Sequence, residues 1–322
     1  MSKIKLSIII PIYNVESYIE DCLDSLLNGT DNMNEIEVIL IDDGSVDNSS
    51  NICKRYCQKY SFVKLIKQDN KGQAAARNHA LSVAKGTWIS YVDSDDKVVR
   101  SFLRILIDII DNCTDDAELV MFKYNILKQS KREYSKFNRE KLKEISKKEA
   151  MFLLTAPKYF GNYLWNKIYK RSLLQKIMLP EGKKYEDIAT LYKYVYYSNK
   201  VFLYDDVLYF YRQRNGSTVH LIDARIGVDE IEARRNQLSF FKLHNYYEAF
   251  NRARYYFILS CIKNIELYSN TDKSFKISLH YLKENDITVK EVGIKNWLKI
   301  KIINVNPGLW KKIKKLKHVF NS

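Results

Sequence analysis

The sequence has few of the residues that interrupt or cross-link a folded chain. Only 10 glycines and 4 prolines occur among its 322 residues, which predicts a compact fold rather than a low-complexity chain. No apolar run approaches the length of a membrane-spanning helix. The first apolar run, Leu6 to Ile12, is short, contains Pro11 and lacks a small-residue cleavage site. No secretory signal peptide is therefore expected.

Cysteine is also sparse, with five residues scattered along the chain. An odd number without regular spacing does not describe a disulfide framework. The only close pair, Cys53 and Cys57, has the spacing of a helix face rather than that of a zinc knuckle. We therefore expect reduced thiols in a cytoplasmic protein.

Positive charge and tyrosine, by contrast, are abundant. The formal net charge is +15, and 24 tyrosines contribute to a hydrophobic content of 46%. Such a charge predicts an anionic partner, namely a nucleotide, a nucleic acid or a membrane surface. A chain of this length can bury one large core or two modest ones.

The first hundred residues alternate between apolar strands and helices. Strands are predicted at 4–12, 36–41 and 63–67 and in the run that begins at Thr87, and helices at 15–27, from Asp47 and at 74–84. This pattern is typical of an α/β fold with a mostly parallel sheet and right-handed crossovers. The polar loops that follow the strands then collect at one edge of the sheet, where such folds bind ligands.

The pattern changes after Phe102. A helix over 99–112, a strand over 119–126 and a strand pair over 201–213 are predicted. The lysine-rich stretch 128–148 is interpreted as a solvated loop and helix face. From about Leu221 the sequence is helical and basic to its end.

Three carboxylates follow the strand that begins at Thr87. Asp93, Asp95 and Asp96 stand where the apolar run ends, and desolvated carboxylates repel one another unless a cation lies among them. Hard oxygen ligands at this spacing suggest Mg²⁺ or Mn²⁺ carrying a substrate diphosphate. The alternative is a helix cap, in which Asp95 or Asp96 closes the first turn of the helix after Val98.

Two further loops carry candidate ligands at the same edge. Asp42 and Asp43 follow the second strand, where one carboxylate either accepts the imide N–H of uracil or only caps the next helix. Lys71 and Gly72 add a cation and a backbone that a ligand can approach closely. Arg77 is interpreted as a structural residue that ties its helix to the sheet.

Four motifs carry a resemblance to a known family. They are Ser7 to Asn14, Asp42 to Asp47, Asn70 to Asn78 and Asp93 to Asp96. In order and spacing they resemble the inverting family-2 glycosyltransferases of the GT-A fold, strongly over 4–100 and recognisably to about 220. Segments similar to the family's acceptor side are Trp165 to Arg171, Glu186-Asp187 and Tyr211 to Ser217.

The resemblance implies a Rossmann-like mixed sheet flanked by helices, and a division of the chain. A GT-A domain over 1–220 would hold a nucleotide-sugar-binding half at 1–100 and an acceptor half at 101–220. A helical basic region over 221–322 would follow. No such match is identified for the last hundred residues.

The resemblance also implies roles around a UDP-sugar donor. Asp42 would read uracil, Lys71 would lie near the base, and Arg212 would belong to a segment that closes over the diphosphate. Asp95 would be the principal ligand of Mn²⁺ or Mg²⁺, with Asp93 at the ribose and metal. The implied donor-binding set is Pro11, Tyr13, Asn14, Asp42, Asp43, Lys71, Gly72, Asp93, Ser94, Arg212, Arg214 and Ser217.

Inverting transfer needs a base on the acceptor hydroxyl. Asp187 matches the family's base position, with Glu186 beside it, and both stand at the start of a predicted helix. The alternative is that the two acids only decorate a helix N-terminus, where acids are favoured. His220 is either a further metal or phosphate ligand or a surface residue.

The C-terminal tail combines lysines with apolar residues. After Glu291 the sequence contains no acid, while lysines alternate with Trp297, Trp310 and aliphatic residues. This composition predicts a helix that lies on an anionic membrane leaflet. The alternative is an ordinary amphipathic helix packed on the domain. Nucleic acid is not expected, because no recognition motif accompanies the charge.

Taken together, these features predict an inverting, metal-dependent glycosyltransferase of surface polysaccharide synthesis. Its donor would be a UDP-sugar, its acceptor a glycan or a lipid-linked molecule, and its place the inner face of the cell membrane. A homo-oligomer is compatible with the sequence. The alternatives are a nucleotidyltransferase of Rossmann-like fold, a basic nucleic-acid-binding module and a catalytically silent scaffold.

Overall fold

A computed structural model describes residues 4–30, 33–127, 135–158, 160–213 and 223–320. The chain divides into two compact units. The first comprises Met1–Gly182 with Glu186–Asn215, and the second Lys183–Tyr185 with Gly216–Ser322. The predicted domain boundary at residue 220 falls outside the described residues.

The first four strands of the first unit are parallel. They are β1 (Leu6–Ile12), β2 (Ile36–Asp42), β3 (Val63–Lys67) and β4 (Trp88–Tyr91), in the spatial order β3-β2-β1-β4. The connecting helices are α1 (Ile19–Leu27), α2 (Ser49–Lys59) and α3 (Gln73–Val83). Every residue of β1 and β2 is buried, as expected for apolar parallel strands covered on both faces. The predicted α/β fold is confirmed.

The sheet continues through strands of mixed direction. The later strands are β5 (Lys97–Val98), β6 (Ala117–Ile126), β7 (Leu142–Ile145), β8 (Lys167–Lys170) and β9 (Lys200–Tyr211). The order runs on from β4 as β8-β6-β9-β5, with β7 also paired to β9. The helices of this half are α4 (Phe102–Asn112), α5 (Lys147–Leu154), α6 (Arg171–Lys176) and α7 (Glu186–Tyr197). β8 runs antiparallel to both β4 and β6.

The prediction of a strand pair over 201–213 is wrong. β9 is one strand, whose register against β6 shifts after Tyr204, so that Asp205 and Asp206 form a bulge. Asp206 is buried and accepts a hydrogen bond from Lys141 Nζ at 2.8 Å. Two consecutive acids resemble a turn in the sequence. The strand continues through them because the buried carboxylate of Asp206 is paired with Lys141.

Helix α1 begins at Ile19, four residues later than predicted. The residues before it turn instead, with Tyr18 N donating to Val15 O at 2.9 Å. Asn14 has a left-handed backbone with a φ of 49°, and Val15 N donates to Ser49 Oγ at 2.9 Å. The chain after β1 is therefore held as a loop against the start of α2.

The lysine-rich stretch 128–148 also differs from its prediction, because β7 lies within it. Leu142 and Ile145 are buried at the ends of this strand, while Lys143 and Glu144 between them are exposed. A four-residue strand with two apolar positions is too short to distinguish from a solvated loop in a sequence.

The second unit is helical, as predicted for the C-terminal region. Its helices are α8 (Ala224–Leu243), α9 (Tyr247–Leu267), α10 (Lys273–Glu284), α11 (Val289–Val305) and α12 (Pro307–Phe320). A capping box of Thr288 and Glu291 starts α11, and Gly293, with a φ of 76°, kinks it. No helix among the described residues has the length and apolar character needed to cross a bilayer.

Candidate active site

The loops after β1 and β2 are joined by hydrogen bonds. Asn14 N donates to Ser45 Oγ at 3.2 Å, and Val46 N donates to Asn14 Oδ1 at 3.0 Å. Pro11 is buried within β1, whereas Tyr13 is 49% exposed beside these bonds. The two loops therefore form one fixed surface at the carboxyl edge of the sheet.

Asp42 and Asp43 are both buried but have different partners. Asp42 Oδ1 accepts a hydrogen bond from Ser45 N at 2.9 Å. Asp43 accepts from Lys71 N at 2.9 Å and from Gly72 N at 2.8 Å. Asp43 thus fixes the loop before α3, and Gly72 takes a φ of 88° that favours glycine. The Lys71 side chain is exposed.

The three carboxylates after β4 lie at the same edge. Asp96 is buried, and it accepts hydrogen bonds from Tyr209 Oη and Arg212 N, each at 2.7 Å. Tyr209 Oη in turn accepts from Asp93 N at 3.0 Å. Burial, and then the negative charges of Asp93 and Asp95, raise the pKa of Asp96 well above its ordinary value. The hydrogen bonds of Tyr209 on β9 fix the turn that carries these acids.

The helix-cap alternative for these acids is wrong. Helix α4 starts at Phe102, and its N-cap residue is Ser101. Asp96 is instead bonded to β9 and to Arg212, as described above. Ser94 is buried, and Asp93 and Asp95 are half-buried.

Arg77 joins two candidate parts of the site. Its guanidinium donates to Asp93 Oδ1 through Nη2 and to Glu186 Oε1 through Nη1, each at 2.7 Å. The expected tie from helix to sheet is present, and it extends to the first residue of α7. Burial opposes the charge of Arg77, but Asp93 and Glu186 raise its pKa above the ordinary value. The Glu186 contact spans 109 residues, so no local sequence pattern signals it.

Asp187, at the start of α7, acts electrostatically on the buried Lys167 of β8. Asp187 Oδ1 accepts from Ile188 N at 2.7 Å at the start of α7. Lys167 Nζ, fully buried on β8, donates to Tyr163 O at 2.7 Å and to Asn166 Oδ1 at 2.6 Å. Burial lowers the pKa of Lys167 to about 7, and the negative charge of Asp187 opposes that shift. Nothing in the local sequence distinguishes Lys167 from the other lysine of the segment Trp165 to Arg171.

Arg212 lies beside the acidic turn. Its Nε donates to Asp95 O at 2.8 Å, and its Nη2 donates to Asp21 Oδ2 at 2.8 Å. The structure therefore brings Arg212 next to the predicted metal ligands. Arg214, Ser217 and His220 lie outside the described residues.

The residues fit a hard divalent cation by their chemistry, since Asp93 and Asp95 offer carboxylate oxygens at one strand end. No group of three or more His, Cys, Asp or Glu side chains that could hold a metal ion occurs among the described residues. A cation held here by two carboxylates would complete its coordination with oxygens of a ligand or of water.

Residues 7–178 match the family model described as glycosyl transferase family 2. The chain is a member of this family. It is 31% identical to the glycosyltransferase GlyG of Streptococcus pneumoniae over 225 residues, which are 66% of this chain and 72% of GlyG. It is 28% identical to the minor teichoic acid biosynthesis protein GgaB of Bacillus subtilis, over 65% of this chain and 23% of GgaB.

The fold is also that of a solved structure. The structure of S. aureus TarS 1–349 in complex with UDP-GlcNAc matches 96% of this chain and 88% of that one, with a TM-score of 0.61 and 19% identity. The predicted GT-A architecture is thus confirmed, and the protein is a family-2 glycosyltransferase with one relative named for teichoic acid biosynthesis. This family membership favours the glycosyltransferase prediction over the nucleotidyltransferase and scaffold alternatives.

Proposed function

We propose that the protein transfers a sugar from a UDP-sugar donor, with inversion, to a glycan or lipid-linked acceptor in surface polysaccharide synthesis. The observation that carries the proposal is the network of Asp93, Arg77 and Glu186 at the carboxyl edge of the sheet. Through Arg77, this network links Asp93, a candidate ligand of the cation that binds the diphosphate, to Glu186 at the start of α7. The complex of TarS with UDP-GlcNAc supports the choice of donor.

In this proposal the loops after β1, β2 and β3 hold the nucleoside. Tyr13 and Asn14 frame it, Asp42 accepts a hydrogen bond from the imide N–H of uracil, and Lys71 lies near the base. Asp43 acts on the donor through Lys71 N and Gly72 N, whose positions it fixes. A carboxylate has about four acceptor sites, so the bond from Ser45 N still leaves Asp42 able to accept from a base.

Asp95 and Asp93 would hold Mn²⁺ or Mg²⁺ against the donor diphosphate. A bound cation would neutralise negative charge on the departing nucleoside diphosphate. Arg212 carries positive charge beside the same turn, and Arg214 and Ser217 belong to the segment proposed to cover the diphosphate and exclude water.

Asp187 would accept the proton of the attacking acceptor hydroxyl. Glu186 is engaged by Arg77 at 2.7 Å, so its carboxylate is neutralised in part and is directed toward Asp93. We assign Glu186 to positioning and Asp187 to proton removal. A base positioned for this step contributes about 10²- to 10⁴-fold to the rate.

A lipid-linked acceptor would place the enzyme at a membrane. The basic C-terminal region, with no acid after Glu291, would attach it to the anionic inner leaflet of the cell membrane. Each lysine near such a surface contributes about 1 kcal/mol. GgaB, named for teichoic acid biosynthesis, supports an anionic cell-surface polymer as the product class.

The donor site is tested by calorimetric titration of the full chain with UDP, in Mn²⁺ and in its absence. We expect UDP binding to require the cation, because the diphosphate and the protein would both coordinate it. Asp95→Ala should therefore abolish the metal-dependent binding of UDP. The matched control is Asp115→Ala, at an exposed acid, and it should bind like the unmodified protein. Undiminished binding by Asp95→Ala would remove Asp95 from the metal site.

A further inference from the structure

The structure separates the basic apolar tail into two sets of residues. One set packs against other helices of the same unit. Trp310 is buried, and its Nε1 donates to Glu266 Oε1 at 3.0 Å. Lys314 Nζ lies 2.6 Å from Glu266 Oε2, and Lys311 Nζ lies 4.9 Å from the centre of the Phe275 ring. These residues stabilise the unit, so they are not the ones available to a surface.

The other set is apolar and exposed. The exposed fractions are 66% for Ile294, 51% for Leu298 and 85% for Val305 on α11, and 47% for Leu309 on α12. At about 100° per residue, the three α11 positions fall within about 40° of one another around the helix. We call Ile294, Leu298 and Val305 the α11 face. The kink at Gly293 separates this face from the capped start of the helix.

Lysines border the α11 face. Lys295 and Lys301 are exposed, and Lys301 Nζ lies 5.0 Å from the centre of the Trp297 ring. Lys301 belongs to the same side of the helix as the α11 face by its spacing, so its long stem can lie along apolar surface while its charge reaches outward. No acid occurs after Glu291. Such a surface is complementary to a partner that is apolar in its interior and negatively charged at its boundary, as an anionic lipid surface is.

We propose that the α11 face lies on an anionic lipid surface, with Lys295 and Lys301 among the headgroups. This inference rests on the proposed membrane attachment and specifies it. The aliphatic side chains enter the headgroup and acyl boundary, and the lysines meet lipid phosphates. Trp310, which the sequence suggests as an interfacial anchor, stays within the protein and does not contact lipid.

Co-sedimentation of the full chain with vesicles tests the apolar part. The vesicles contain equal parts of phosphatidylglycerol and phosphatidylcholine. We expect L298Q/V305Q to lower vesicle affinity by on the order of tenfold, with circular dichroism and UDP binding unchanged because both side chains are exposed. The matched control is L243Q/L267Q, two exposed leucines at other helix ends of the same unit, and it should retain the affinity of the unmodified protein.

A second pair of variants tests the charged part. K295Q/K301Q should lower vesicle affinity by on the order of tenfold at low salt. K276Q/K283Q removes the same charge from exposed positions on α10, and it should have a clearly smaller effect. Phosphatidylcholine alone should bind weakly, because the lysines then lose their partners.

Three results would overturn the assignment. Equal losses of vesicle affinity in K295Q/K301Q and in K276Q/K283Q would mean that the protein binds by general electrostatic attraction and not through a defined face. Full vesicle binding by L298Q/V305Q would move the contact elsewhere. Loss of self-association in that variant, with vesicle binding intact, would make the face a contact between copies of the chain. Since UDP binding is measured separately, failure here leaves the donor assignment standing.

Discussion

The sheet unit and the helical unit both bury carboxylates, but they use them differently. In the sheet unit, Asp43 and Asp96 accept hydrogen bonds from backbone N–H groups of neighbouring loops. In the helical unit, Glu230 on α8 pairs with Arg234 one turn later and accepts from Ser260 Oγ on α9 at 2.6 Å. The first kind of carboxylate fixes the shape of a ligand-binding edge, and the second fastens one helix to another.

This difference shows that burial and charge alone do not identify an active site. Glu230 is as buried as Asp43, with exposed fractions of 4% and 3%. What distinguishes Asp43 is its position after a parallel strand, where loops from several strands meet. The same position is shared by Asp42 and Asp93. Substitution of the buried carboxylates at this edge of the sheet should therefore change ligand binding or turnover, whereas substitution of the buried Glu230 in the helical unit should change stability.

The largest effect is expected at Asp187. Asp187→Asn should lower turnover about 10²- to 10⁴-fold, with UDP affinity changed little, because a general base acts chiefly in the transition state. Steady-state kinetics with a UDP-sugar and the acceptor, combined with calorimetry for UDP, separates the two quantities.

Glu186→Gln provides the internal comparison for this experiment. It weakens the contact with Arg77 but retains the side-chain shape, so a smaller loss of turnover is expected. The reverse ranking of the two variants would move the base to Glu186. Near-normal transfer by Asp187→Asn would remove Asp187 from the mechanism.

A smaller effect is expected for base selectivity at Asp42. The unmodified protein should prefer UDP to CDP by about 1 to 3 kcal/mol, since uracil N3–H donates a hydrogen bond to the buried carboxylate of Asp42, whereas cytosine N3 is an acceptor and leaves that carboxylate with a repulsive contact. Competition binding measures this preference, and Asp42→Asn should reduce it. Asp69→Asn, at an exposed acid on the next loop, should keep it. Equal competition by CDP and UDP in the unmodified protein would show that Asp42 does not select uracil.

The sequence predicted the edge of the sheet better than it predicted the contacts across it. The apolar runs and the loop residues that predict β1, β2 and α3 are local features of the sequence, and the acids after β4 lie within four consecutive residues. The bond between Arg77 and Glu186 joins residues far apart in the chain, and no periodicity reports such a contact. β8 was missed because its four residues carry two lysines, one of which is fully buried by tertiary packing.

The C-terminal tail shows the same limit on another scale. Its composition suggested that Trp310 and the lysines serve one surface, yet Glu266 on α9 binds both Trp310 and Lys314. A single acid 44 residues before Trp310 therefore holds both of these side chains against α9. Composition indicates that apolar and basic residues share a helix, but only packing decides which of them remain exposed.

The smallest effect is expected at Glu230, where stability changes and function does not. Burial acts to raise the pKa of Glu230, but Arg234, Ser260 and Lys263 lower it below the ordinary value. A carboxylate with a lowered folded-state pKa contributes stability above its unfolded pKa of about 4.5, and this contribution is lost as the pH falls through the folded value. Glu230→Gln should therefore lower the free energy of unfolding by about 1 to 2 kcal/mol at pH 7, and by less as the pH falls below 4.5.

Urea unfolding at pH 7 and at lower pH measures this difference, and calorimetry with UDP shows whether the donor site is affected. Glu284→Gln, at an exposed acid on α10, should change the free energy of unfolding by under about 0.5 kcal/mol. A pH-independent difference for Glu230→Gln would mean that its charge is not what stabilises the helices. A loss of UDP affinity without a loss of stability would break the division of roles between the two units, because a carboxylate that fastens α8 to α9 would then be acting on the donor.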